Sequence, residues 1–175
     1  MIIAGEKGNL HFLDLDNYEE VKSEKPASGN VRNINLSPDG NYFVAGFSDE
    51  YIRIYDTANF ELVKEFWGHE KSAFCATYSP DGQYLLSGGR DAQLKIWDVE
   101  KDYDLYLKVP AHYFTINDIV VSPDHRWFAT GSRDKTIKIW DLETFELQKV
   151  IDMDKFEGHR HSINEMIWTT YNNYL

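Results

Sequence analysis

The chain has 175 residues, with 18 Lys and Arg against 29 Asp and Glu, for a formal net charge of −11. So acidic a chain lacks the basic face needed to displace counterions from nucleic acid or to settle on an anionic membrane, and it leaves room for a basic partner. One cysteine, Cys75, excludes an intrachain disulfide, and no run of about 18 apolar residues marks a membrane span.

The start, Met1–Glu6, lacks the basic-then-apolar pattern of a signal peptide, so a cytoplasmic protein is expected. Met1–Gly5 is a short apolar run, Leu10–Asp14 alternates as a half-buried strand does, and Glu20–Lys25 reads as a polar outer strand. After the loop at 26–29, strands are predicted at Val31–Leu36, Tyr42–Gly46, Tyr51–Asp56 and Glu61–Phe66. Between the first two lies Ser37-Pro38-Asp39-Gly40, where proline pre-sets φ at the second turn position and glycine suits the last. The cycle then repeats: Ala73–Tyr78, Ser79-Pro80-Asp81-Gly82, Tyr84–Gly88, Gln93–Trp97 and Leu105–Val109. It repeats again as Ile116–Val121, Ser122-Pro123-Asp124-His125, Trp127–Gly131, Thr136–Trp140 and Glu146–Ile151, with Ile163–Trp168 as a new inner strand. No stretch carries a helical period.

Thr136-Ile137-Lys138-Ile139-Trp140-Asp141 has counterparts in Leu94–Asp98, Tyr51–Asp56 and Leu10–Asp14, a period of about 42 residues. On these strands, ending in Trp-Asp or a variant of it, the chain resembles the WD40-repeat family over essentially its whole length. The resemblance implies an all-β chain, a β-propeller or part of one, built of four-stranded antiparallel blades. As a single repeat array over 1–175, it divides into an incomplete blade at 1–25, blades at 31–67, 73–109 and 116–152, and the inner strand of a further blade at 163–175.

His69, Ser87 and Asp91 invite reading as a nucleophilic triad, as do His112, Thr130 and Asp134. The family resemblance implies another role: with Trp97 and Trp140 they match its structural tetrad of His, Ser or Thr, Asp and Trp. A chain Trp–Ser/Thr–His–Asp would satisfy each group's donors and acceptors, and the same set in register twice favours scaffolding over catalysis. The blade containing Tyr55 has Ala45 where Ser or Thr belongs and keeps only Asp49. The opening blade has Ala4, Gly8 and Leu13 at the matching places. Both are therefore expected to hold by apolar packing alone, and Asp49→Ala is expected to cost less than Asp134→Ala. His159-Arg160-His161, near Asp152, Asp154 and Glu157, has no diagnostic metal spacing, so no metal and no cofactor are expected. The glycines at 88, 89 and 131 lead into strand, not helix, which excludes a phosphate loop.

The resemblance also implies that partners bind on the rim that carries the Gly-His loops and Arg-Asp turns. The residue before each turn aspartate is Ser48, Arg90 or Arg133; the second residue of each inner strand is Arg32, Phe74, Asn117 or Asn164. Arg32, Phe74, Arg90 and Arg133 form the candidate patch, because arginine and aromatics dominate interface energies; Phe74 is expected to be exposed. The alternative is that the arginines pair with neighbouring acids and Phe74 packs under a loop. The expected function is a non-catalytic scaffold for a protein or peptide partner. The alternatives are an enzyme or small-ligand binder using a central channel, or a purely structural half-ring. The chain is also expected to self-associate by strand completion, Ile163–Trp168 supplying the strand that the first blade lacks, or to be a fragment of a longer propeller.

Overall fold

Every repeat sequence alternates between turn residues and short β-branched or aromatic runs, and within residues 1–151 these runs become strands. The computed structural model describes all residues except 27, 154–157 and 171–175. The first sheet is β1 (Ile2–Ala4), β2 (Leu10–Leu13) and β3 (Glu20–Glu24). The second is β4 (Val31–Leu36), β5 (Tyr42–Phe47), β6 (Tyr51–Asp56) and β7 (Leu62–Trp67). The third is β8 (Ala73–Tyr78), β9 (Tyr84–Gly89), β10 (Gln93–Asp98) and β11 (Asp104–Pro110). The fourth is β12 (Ile116–Val121), β13 (Trp127–Ser132), β14 (Ile137–Asp141) and β15 (Leu147–Ile151). Each is an antiparallel meander with strands in chain order, and β4, β8 and β12 lie side by side as the inner strands. Four sheets stacked this way, without closure, make a partial propeller.

The sheets pack through both faces, so their middle strands are buried on both sides. Between the first and second sheets the core is Leu10, Phe12, Phe43, Ala45, Phe47 and Tyr55. Between the second and third it is built around Val44, Ile54, Leu85 and Trp97. Leu86, Ile96, Phe128 and Trp140 belong to the core between the third and fourth.

Two repeated devices set the spacing. A glycine near the end of the second strand faces the next inner strand. A methyl on Gly88 would stand 2.6 Å from Ile116, and one on Gly131 would stand 2.6 Å from Ile163. The second device is an aromatic with positive φ in the hairpin before the outer strands β7, β11 and β15: Phe60 (59°), Tyr103 (62°) and Phe145 (58°). Each reaches into the sheet that precedes its own. Phe60 stacks on Phe12 with centroids 4.3 Å apart, Tyr103 lies 5.5 Å from Phe66, and Phe145 meets Tyr84 edge-on at 5.2 Å.

The Ser-Pro-Asp turns are closed by their own side chains. In each, the serine hydroxyl donates to the aspartate, at 2.5 Å for Ser37–Asp39 and Ser79–Asp81 and 2.6 Å for Ser122–Asp124. Gly40, Gly82 and His125 supply the left-handed residue that follows.

Residues 163–168 correct one expectation. They take the place of a further inner strand: Ile163 N–H donates to Ser132 O, and Met166 N–H donates to Asp118 Oδ2 at 2.7 Å. They form no β-ladder, however. Side-chain and loop hydrogen bonds hold this segment against the fourth sheet, whereas a ladder needs a second strand beside it; residues 171–175 lie outside the described chain.

Candidate functional site

In the third sheet the residues singled out by the repeat meet as one chain of hydrogen bonds. Trp97 Nε1–H donates to Ser87 Oγ at 2.8 Å, Ser87 Oγ lies 2.8 Å from His69 Nε2, and His69 Nδ1 lies 2.9 Å from Asp91 Oδ1. The Asp91 carboxylate only accepts, so Nδ1–H donates to it; Nε2 of the neutral ring is then an acceptor and takes the Ser87 proton, while Ser87 Oγ accepts from the indole. Burial pushes the imidazolium of His69 below its ordinary range, against the opposing pull of Asp91. Burial raises the Asp91 carboxyl, but the His69 hydrogen bond and charge, with the amides of Gln93 and Glu70, hold it below the usual value. The pair is thus a neutral imidazole against an ionised carboxylate.

The fourth sheet repeats the arrangement. Trp140 Nε1–H donates to Thr130 Oγ1 at 3.0 Å, and His112 joins Thr130 at 2.8 Å and Asp134 at 3.0 Å. Burial works against the Asp134 anion, yet His112, Thr136 and two backbone amides hold its carboxyl well below the ordinary range. Ser87 and Thr130 are fully buried, so a substrate has no access to either hydroxyl. What these groups do is fasten the Gly-His loop to the second strand and to the following turn.

The second sheet does not hold by apolar packing alone. Arg53, only 5% exposed, takes the place of the missing histidine as partner of Asp49. Its Nη1 and Nη2 donate to the two Asp49 oxygens at 3.0 and 2.8 Å, and its Nε donates to Glu65 at 3.1 Å. The guanidinium also lies 4.6 Å from the Phe47 ring centre and 5.4 Å from that of Tyr51. Lys95 and Lys138 occupy the same strand position and donate to the carbonyls of Gly68 and Ala111, the residues before the two histidines. Burial lowers the Lys95 ammonium, which sits 4.3 Å from the Trp67 ring centre. In the first sheet His11 stands there and bonds Glu20 at 2.6 Å. The sequence misleads here because an alternating Lys or Arg reads as solvent-facing, whereas the turn acid and the aromatics around Arg53, and the Gly68 and Ala111 carbonyls at the lysines, enclose it. Tyr55 stands at the tryptophan position beside Ala45, and its hydroxyl is buried with no hydrogen-bond partner among the described residues.

The partner-facing candidates fall into separate places. Register shifts at Val31/Asn33 and Ala73/Cys75 make Arg32 and Phe74 the extra residues of β-bulges, which re-aim a side chain out of the ladder. Arg32 is exposed and lies over the Phe74 ring at 4.8 Å, so Phe74 is half-buried rather than open. Arg90 and Arg133 are both exposed, and neither they nor Arg32 forms an ion pair with a described residue. Their backbone amides bond Ser72 O and Thr115 O, tying each turn to the adjoining loop.

Two rim residues escape the sequence reading. Tyr113 is 89% and Phe114 59% exposed, in the loop whose Thr115 carbonyl holds Arg133. The signal is a comparison of loops: His69 is followed by Glu70-Lys71, His112 by two aromatics. His159 and His161 are exposed; Asp154 and Glu157 lie outside the described residues, among which no cluster of His, Cys, Asp or Glu could hold a metal ion.

Comparison with known families gives the repeat its frame. The model described as WD domain, G-beta repeat matches residues 20–56, 60–98 and 104–141. Each match begins on or just before an outer strand (β3, β7 or β11) and runs through the first three strands of the following sheet. The unit of sequence thus straddles two sheets, and its continuity ties each sheet to the next.

Proposed function

Because the chain belongs to the WD40-repeat family, whose repeats generally serve as protein-interaction scaffolds, we propose that it is a non-catalytic scaffold binding a protein or peptide through the rim of Gly-His loops and Arg-Asp turns. The observation that carries this reading is the coincidence of Arg133 with Tyr113 and Phe114: an arginine without an ion-pair partner among the described residues, beside two exposed aromatics on a loop anchored by His112 and Asp134. Such groups supply most of the energy at protein interfaces, and the anchored loop presents them with little left to order on binding. Arg32 over Phe74, and Arg90, extend the rim across the neighbouring sheets. The hydroxyls that could be mistaken for nucleophiles are buried and engaged, which supports a scaffold over an enzyme.

The test is capture of the partner by the chain and by Arg90→Glu/Arg133→Glu and Tyr113→Ser/Phe114→Ser variants. Loss of capture with an unchanged thermal midpoint supports the rim. Capture that survives both, and fails instead when the Ser-Pro-Asp turns are altered, moves the site to the other side.

A second reading concerns self-association. The first sheet has three described strands and shows Met1, Ile3 and Val21 at 54%, 40% and 63% exposure. Residues 163–168 form no ladder, with Ile167 at 77% exposure. Unpaired edges and apolar faces of this kind favour strand addition between copies, joining one chain's last segment to another's first sheet.

A further inference from the structure

On the side of the Ser-Pro-Asp turns, neighbouring sheets are separated by clefts. The one between the second and third sheets is lined chiefly by Asp39, Tyr42, Tyr78, Asp81, Val99 and Tyr103, and no lysine, arginine or histidine is among its lining residues. The Tyr78 and Tyr103 hydroxyls lie 2.9 Å apart. Burial raises both phenols, so they stay protonated and add no charge of their own. Tyr42, at 38% exposure, stands where the cleft meets solvent.

The two carboxylates differ. Both Asp39 oxygens are engaged, accepting from Ser37, from the Asn41 amide and from the Asn41 side chain. Asp81 Oδ1 accepts from Ser79 and Gln83, while Oδ2 accepts from no described residue. The cleft therefore combines three tyrosines, two carboxylates and one unspent carboxylate oxygen, with no cation to balance them. The corresponding cleft between the first and second sheets is lined by residues such as Met1, Ile34, Leu36 and Phe60 and holds no acid. The acidity thus sets this cleft apart from that one.

We propose that this cleft binds an arginine side chain presented by a basic segment of a partner protein. A guanidinium is planar, stacks on aromatic faces and donates through a fork to a carboxylate, which matches the solvent-facing Tyr42 ring and the free Asp81 oxygen. An ammonium has no flat face to use there. A segment rather than free arginine is indicated by the adjoining cleft, which also includes Asp81 and adds Tyr84 and Glu143 alongside His125. A chain crossing from one cleft to the other meets a second acidic, aromatic site. The chain's formal charge of −11 steers such a segment towards it. This site lies apart from the Arg-Asp rim, so the two stand or fall separately.

The experiment titrates the chain with acetyl-Gly-Arg-Gly-amide, and with the same peptide carrying citrulline, at physiological salt, followed by backbone-amide NMR. The arginine peptide is expected to shift amides around Asp39, Asp81 and Tyr103 and to bind about tenfold more tightly than its uncharged isostere. Tyr42→Ser and Asp81→Asn are each expected to weaken it about fivefold, whereas Arg90→Glu/Arg133→Glu leaves it unchanged. Should Asp81→Asn loosen its turn, Tyr42→Ser decides alone, since that side chain lies outside the core. Equal binding of the citrulline peptide, shifts scattered over the surface acids, or undiminished binding in Tyr42→Ser would overturn the proposal.

Discussion

The guanidinium of Arg53 grips the carboxylate of Asp49 through two hydrogen bonds, 3.0 and 2.8 Å long, at a turn where the next two sheets use histidine. This pair reverses the order of sensitivity that Ala45 suggests. Asp49→Ala strands a buried cation, with only the half-exposed Glu65 left to it, at a cost of about 3 kcal/mol. Asp134→Ala leaves His112 and two amides short of an acceptor, at about 1–3 kcal/mol. Urea denaturation of the two variants should show the larger midpoint shift for Asp49→Ala; a smaller one would mean that the ion pair contributes little.

Tyr55→Phe should stabilise the second sheet. The hydroxyl is buried and accepts and donates nothing among the described residues, so the substitution removes an unsatisfied polar atom and keeps the stacking on Phe43, at 4.8 Å between centroids. The gain is about 1 kcal/mol. Trp97→Phe is the contrasting control, because it deprives Ser87 of its donor and leaves a void. A loss of stability in Tyr55→Phe would show the hydroxyl to be engaged in solution.

Stability should fall in two stages on acidification. His69 has a folded-state value below its ordinary 6.5, so below that pH the unfolded chain takes up the proton first and the folded state loses ground. Asp91 and Asp134 are held below 3.8; their contributions are complete above that value and drain away as the pH falls through their folded-state values. Chemical denaturation between pH 7.5 and 5 should show a declining midpoint for the parent and a flatter profile for His69→Gln. Identical slopes would mean that His69 is not buried neutral.

Light scattering at micromolar concentration tests the self-association. Species larger than the 20.4 kDa monomer are expected, and removal of residues 163–175 should abolish them. A monodisperse monomer would refute the association; a dimer would support closure of two chains into one ring, and a ladder of sizes would support open stacking.

Much of the fold is legible because it recurs: the strands that end in Trp97-Asp98 and Trp140-Asp141, and the Ser-Pro-Asp turns between the first and second strands of the second, third and fourth sheets. The hydrogen-bonded histidines are legible for the same reason, since His69 and His112 stand in register with their partners. What escapes depends on neighbours. Arg53 is one polar residue in an alternating strand, and nothing along the strand shows that Phe47, Asp49 and Glu65 enclose it. Phe74 reads as open until the adjacent inner strand lays Arg32 across it. Tyr113 and Phe114 belong to a loop that varies between repeats, where period carries no information.

The hairpin aromatics give the molecule a direction. Phe60, Tyr103 and Phe145 each find their contacts in the sheet made before their own, and in Phe12, Phe66 and Tyr84 those contacts come earlier in the chain. During synthesis, which delivers the amino-terminal residues first, every new hairpin would leave the ribosome with its docking place already translated. The array can therefore grow by accretion, each sheet a template for the next, and a truncation from the carboxyl end should spare what lies upstream while one from the amino end undermines everything after it.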